Sequence, residues 1–129
     1  MTAHWENNVS EILRCLPARI SDVIVPLAGR SSDHPALAEA SGTWTYRELS
    51  TVIAETQSWL ITSGVRPGDR VLIVCENCRA FAAVLLAVAS IDAWPVLVNA
   101  KLSPREIDAV REHSGARRVI YTTSVSPHA

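Results

Sequence analysis

Residues 64–99 constrain the fold of this chain more than any other stretch. Gly64-Val65-Arg66-Pro67-Gly68-Asp69 has the chemistry of a turn: Pro67 is pre-set for it and Gly68 is free to take positive φ. Arg70-Val71-Leu72-Ile73-Val74-Cys75 follows as a β-branched apolar run, too short for a helix. Ala80–Ile91 is apolar almost all round, which predicts a buried helix, and Ala93–Val98 is a second β-like run. Two continuous apolar strands with a helix between them predict a parallel β-α-β unit, because a one-sided antiparallel sheet would alternate.

The flanking segments read as lead-in and continuation. Asn8 or Ser10 is placed to cap a first helix with Val9, Ile12, Leu13 and Leu16 on one face, which Pro17 either ends or restarts. Ile20, Val23, Ile24 and Leu27 keep helical spacing, but Pro26 lies inside that set and leaves the element open, and Gly29–Pro35 reads as a loop. Residues 36–39 and 43–45 predict a short hairpin bent at Gly42. Thr45-Tyr46-Arg47-Glu48 is a capping box, and behind it Leu49, Val52, Ile53, Thr56, Trp59 and Leu60 form a helical stripe that Gly64 stops. Ser103-Pro104-Arg105-Glu106 is a second capping box, its helix ends at Gly115, and Val119-Ile120-Tyr121 is a third strand. The expected fold is α/β: an N-terminal helix and a short β-hairpin, then a β-α-β-α-β parallel layer. Strand order is open at this stage.

Composition narrows the function classes. A chain of 129 residues makes one modest domain at most. The formal net charge is −1 and the basic residues are scattered, with only Arg117 and Arg118 adjacent, so no nucleic-acid footprint is expected. Met1–Asn8 has no signal-peptide pattern, and no apolar run approaches the roughly 20 residues that span a bilayer. Three cysteines without framework spacing fit a reducing compartment, and cytoplasmic localisation is expected.

Candidate chemistry is sparse. Cys75-Glu76-Asn77-Cys78 is a CxxC at a strand-to-helix junction, where a redox dithiol can sit, but Asn77 has a plain role there as helix cap. His4, His34, His113 and His128 lack metal-ligand spacing, so no metal site is expected. Tyr121-Thr122-Thr123-Ser124 lacks the glycines that let backbone amides approach a phosphate, and no GxxxxGK or GxGxxG occurs. Lys101 stands in the loop after the second strand, at the end of a parallel sheet where ligands bind. No catalytic constellation is present.

Several segments, in order, nevertheless resemble one family. They are His34-Pro35-Ala36-Leu37, Trp44–Leu49, Gly64–Val71, Asn77, Ala93-Trp94-Pro95-Val96, Asn99–Glu106 and His113–Arg117. Together they are similar to the N-terminal part of adenylate-forming (AMP-binding) enzymes, in the acyl- and aryl-CoA ligase (acyl-CoA synthetase) branch. Asp92 stands where the family usually has Gly, and Trp94 is bulkier than its usual counterpart.

The resemblance implies an acid–thiol ligase that uses ATP and magnesium to convert a carboxylic acid to an acyl-adenylate and then passes the acyl group to CoA. It implies that the catalytic machinery lies in a remainder of the ligase chain that follows. The 129 residues alone are then expected to be non-catalytic, to bind no cofactor tightly and to self-associate through an apolar face of the Ala80–Ile91 helix. Residues 1–34 would be a helical lead-in and 35–129 a hairpin plus parallel layer. Lys101 corresponds to a basic residue near the phosphates of CoA in some ligases, here Lys where the family usually has Arg, so a point charge replaces a bidentate fork. Two alternatives remain at this stage: a freestanding non-enzymatic α/β binding module, and a thiol oxidoreductase built on Cys75 and Cys78.

Overall fold

The computed structural model describes residues 6–124 and 126–129, with side chains of the first helix described from Val9 onward. Its elements run α1 (Glu6–Cys15), a 3-10 turn (Ile20–Val23), α2 (Val25–Arg30), β1 (Pro35–Glu39), β2 (Gly42–Thr45), α3 (Tyr46–Thr62), β3 (Arg70–Cys75), α4 (Arg79–Ser90), β4 (Trp94–Asn99), α5 (Pro104–Ser114) and β5 (Arg118–Tyr121).

The predicted parallel layer is present, with strand order β4-β3-β5 and both pairings parallel. Ile73 pairs with Leu97 on one side and with Ile120 on the other. The central place of β3 explains its unbroken apolar run: Val71, Leu72, Ile73 and Val74 are all fully buried, two on each face. Val71 and Ile73 pack with Leu60, Val65, Ala87, Val88 and Ile91, under α3 and α4. Leu72 and Val74 pack with Val98, Ala100 and Ile107, under α5.

Right-handed crossovers account for this division. The chain moves one way from β3 to β4 through α4 and back the other way from β4 to β5 through α5, so the two helices must cover opposite faces. No residue of α4 is exposed, because the sheet, α3, the 3-10 turn and β1 surround it. The expectation that α4 would present a bare apolar face is therefore corrected. Exposed apolar residues lie elsewhere, among them Val9, Ile12 and Leu13 of α1 with Leu16 just beyond it, Ile20 and Val23 of the 3-10 turn, Trp59 and Ile61 of α3, and Trp94 and Leu97 of β4.

Local rules hold best where caps are explicit. Both capping boxes form: the Glu48 amide donates to Thr45 Oγ1 and the Thr45 amide to Glu48 Oε2, with the same exchange between Ser103 and Glu106. Gly115 takes φ 62° and closes α5. They hold less well in the lead-in. Helix α1 starts at Glu6, so Asn8 and Ser10 lie inside it instead of capping it. Gly29 belongs to α2, not to a loop, because Pro26 falls in the first turn, where its missing N–H costs nothing. Trp59 is exposed, since α4 covers only the Leu49–Leu60 side of α3.

Asp92 has φ 57° at the α4–β4 junction. The helix must stop there, and the carboxylate is held by Arg19 at 2.8 Å while the Asp92 carbonyl accepts from the Gly68 amide. Those contacts offset the roughly 1–2 kcal/mol that a non-glycine residue costs in the left-handed region.

Candidate functional site

Neighbouring strands β3 and β4 send their following loops to opposite faces of the sheet, which leaves a crevice between their C-terminal ends. A cleft of about 470 Å³ occupies that place. Cys75, Phe81 and Leu97 make its apolar floor, and Glu76, Asn77, Asn99 and Lys101 its polar rim.

Lys101 is thus placed where the sequence suggests, on the loop after β4. Its position is set by the backbone: the Lys101 amide donates to Asn99 Oδ1 at 2.9 Å, and the Leu102 amide donates to the Asn99 carbonyl at 3.1 Å. The side chain is 67% exposed, and its Nζ lies 4.0 Å from Glu76 Oε1. At that distance and exposure the pair holds Lys101 only loosely. The ammonium is free to meet an anion at the rim, with Glu76 as its competitor.

The CxxC pair takes a different role from a redox centre. Cys78, not Asn77, is the N-cap of α4, and its Sγ accepts from the Phe81 amide at 3.3 Å. Asn77 lies on the cleft rim instead. Burial pushes the Cys75 thiol above its ordinary value, and the neighbouring Cys78 adds to the shift, which is opposite to what an activated thiolate needs. Both cysteines are free thiols.

His34, His113 and His128 are exposed and far apart in sequence; His4 lies outside the described residues. Among the described residues no group of three His, Cys, Asp or Glu side chains converges as metal ligands. Tyr121–Ser124 forms no phosphate loop. Thr122 is buried beside β3, its amide donating to the Val74 carbonyl, with no partner for its hydroxyl among the described residues.

Sequence reasoning missed one cluster at the same end of the sheet. Glu39, at the end of β1, accepts from the Arg79 amide at 2.9 Å, so a carboxylate from the hairpin sits on the first turn of α4. The Arg79 side chain returns to Glu39, with Nε 3.0 Å from Oε1, an ion contact that lies off the N–H direction. Its Nη2 donates to Ser41 Oγ, and its guanidinium lies 4.7 Å from the centre of the Trp44 ring. The amide of Arg79, followed by the Ser41 hydroxyl, holds the Glu39 carboxyl below its ordinary range. No local signal marks this cluster, because its members come from β1, the hairpin turn, β2 and α4. It fixes the hairpin beside a second groove, of about 180 Å³, lined by Leu37, Glu39, Asn77, Cys78 and Arg79.

The family model described as AMP-binding enzyme matches residues 27–129. A 3-hydroxybenzoate–CoA ligase of Aromatoleum sp. (strain CIB) is 32% identical over 106 residues, 81% of this chain and 20% of that protein. A feruloyl-CoA synthase of Amycolatopsis sp. is 37% identical over 94 residues, 72% of this chain and 19% of that protein. Among solved structures, a benzoate CoA ligase from Burkholderia xenovorans LB400 superposes with a TM-score of 0.80 at 26% identity, covering 88% of this chain and 23% of that one. The chain spans about a fifth of the length of these relatives.

Proposed function

We infer the function from one premise: this chain belongs to the family of AMP-binding enzymes. We propose that residues 1–129 are the N-terminal subdomain of an ATP-dependent acyl- or aryl-CoA ligase, with 1–34 as helical lead-in and 35–129 as hairpin and parallel layer. The observation that carries the reading is the 32–37% identity, over most of this chain, to ligases named for hydroxybenzoate and ferulate. An aromatic carboxylate is accordingly the proposed substrate, activated with ATP and transferred to CoA in the cytoplasm.

The residues here support a positioning role. Lys101 is the proposed contact for a phosphate of CoA: its amine is exposed on the cleft rim and only loosely paired with Glu76. The described residues hold no carboxylate cluster suited to magnesium, so in this reading the ion enters with ATP and is held by the remainder of the ligase chain. Alone, residues 1–129 are proposed to be catalytically silent, to bind neither ATP nor CoA tightly, and to self-associate through the exposed apolar residues.

Carboxylate-dependent ATP–pyrophosphate exchange, measured on the complete gene product with a panel of benzoates, cinnamates and aliphatic acids, tests the reading. Exchange driven by an aromatic acid is expected; no exchange with any acid overturns it. In the same enzyme Lys101→Ala raises the KM for CoA several-fold and leaves the exchange step, which precedes CoA, unchanged. An unaltered KM removes Lys101 from the site.

A further inference from the structure

The three-stranded sheet ends on two unlike edges, β4 on one side and β5 on the other. Backbone groups alternate in direction along a strand, so every second residue of an outer strand points away from its partner. The amides of Trp94 and Ala100 donate to the Asp69 and Cys75 carbonyls, which turns Pro95, Leu97 and Asn99 of β4 outward. Pro95 has no N–H, and the Asn99 carbonyl is taken by the Leu102 amide. Strand β4 is thus blunted in the way that natural sheets protect a free edge.

Strand β5 has no such protection. The Thr122 amide, just beyond it, donates to the Val74 carbonyl at 3.1 Å, so Ile120 points toward β3, and Val119 and Tyr121 point outward. Both outward residues keep a donor and an acceptor, and among the described residues no strand lies beyond them. Neither a proline nor a charge stands between Val119 and Tyr121. The strand is also covered less well than its neighbour: Val119 and Ile120 are half-buried, whereas Leu72 and Ile73 beside them are fully buried. The chain then leaves β5 in a definite direction. Residues 122–124 and 126–129 form no strand that returns along β5, and Ala129 packs against the cluster of Leu72, Val74, Val98 and Ile107 on the face that α5 covers. A right-handed crossover that continues from β5 in the sense of the step from β4 to β5 requires that same face.

We propose that the outer edge of β5 is the docking edge for the remainder of this same chain: a strand from the segment after residue 129 pairs parallel with Val119–Tyr121, following a crossover that packs beside α5. The proposal rests on the reading above that the chain continues, as its relatives do over about five times its length. Burial on both faces of a parallel sheet requires that strand to be a short, β-branched apolar run like Val71–Val74. The sheet then grows from β5 and not from β4, because only β5 offers an unbroken row of free backbone groups. A second copy of the chain is the rival occupant, and it would pair β5 with its own β5 about a two-fold axis.

The test is amide hydrogen exchange on the complete gene product, resolved to single residues across 117–122 by electron-transfer fragmentation. Val119 and Tyr121 are expected to exchange as slowly as Ile120, about a hundredfold or more below an open amide. An alternating pattern, with Ile120 slow and Val119 and Tyr121 fast, marks an open edge and overturns the proposal. Protection of those two amides that fades as the protein is diluted places a second copy on the edge and overturns it as well. Tyr121→Pro removes one outward N–H, a change that costs little at an open edge. In the complete protein it lowers the thermal unfolding midpoint by several degrees; an unchanged midpoint overturns the docked strand. Exchange is read on the unsubstituted protein, so it decides the matter even where Tyr121→Pro fails to fold. Neither readout depends on catalysis. Uniform protection along β5 in a protein without ATP–pyrophosphate exchange refutes the ligase reading alone, and the alternating pattern in an active ligase refutes the docked strand alone.

Discussion

Helices α3 and α5 start in one way and helix α4 in another. The first two are closed by residues three apart: Thr45 with Glu48, and Ser103 with Glu106. Each box satisfies its own free amides before any tertiary contact forms. Helix α4 has only the thiol of Cys78 as a local cap, a weak acceptor, and completes its first turn with the carboxylate of Glu39, 40 residues upstream. A locally capped helix is specified by its own sequence, whereas α4 starts where the hairpin has docked. The tertiary start borders the candidate site through Asn77 and Phe81, and the α5 start reaches it only through Asn99 and Lys101, which precede it.

The largest test of this contrast is Arg79→Ala. It removes the ion contact to Glu39, the bond to Ser41 and the stacking on Trp44 from a side chain only 15% exposed. After allowance for partial solvent screening, a loss of about 2 kcal/mol is expected in denaturant unfolding. The hairpin should then detach from α4, visible as faster amide exchange in 35–45. A loss no greater than that of a cap variant would mean that the Arg79 side chain does not hold the hairpin to α4, leaving only its amide on Glu39.

Thr45→Ala and Ser103→Ala should each cost about 1 kcal/mol, with fraying confined to the first turn of the affected helix. Fraying that spread to α4 would break the distinction between local and tertiary starts. Cys78→Ser acts in the other direction: a hydroxyl is the better cap, and a gain of about 0.5 kcal/mol is expected, measured by the same unfolding curves.

The smallest effect is on acid stability. The Glu48 carboxyl is held below the ordinary carboxylate range first by the Thr45 amide, and Glu106 first by the Ser103 hydroxyl. Because the folded pKa is depressed, the contribution is fully present above the unfolded value and is lost as pH falls through the folded one. Helical circular dichroism should therefore decline below about pH 4.5, and Glu48→Gln with Glu106→Gln should flatten that part of the curve.

Much of the fold is legible along the chain because the relevant physics is local. The run from Val71 to Val74 admits only a strand buried on both faces, and the capping boxes mark two helix starts within a residue. The lead-in misleads for the same reason. Asn8 and Ser10 carry capping side chains, but a cap requires a chain that enters from outside the helix, and α1 is already running at both. Lys101 could be placed at the sheet end from strand–loop order alone. Its neighbour Glu76 and the apolar floor of Phe81 and Leu97 depend on which strands lie side by side.

By itself the sequence determined a parallel β-α-β-α-β layer, its helix stops and a kinship with adenylate-forming ligases, since periodicity, turn residues and caps act over a few positions. Only the tertiary structure decided the order β4-β3-β5, the start of α4 on Glu39 and the placing of Arg70 beside Arg117. Along the chain those arginines look scattered. Parallel pairing aligns the N-terminal ends of β3 and β5, and charges nearly 50 positions apart become neighbours because strand pairing, not sequence distance, sets their spacing.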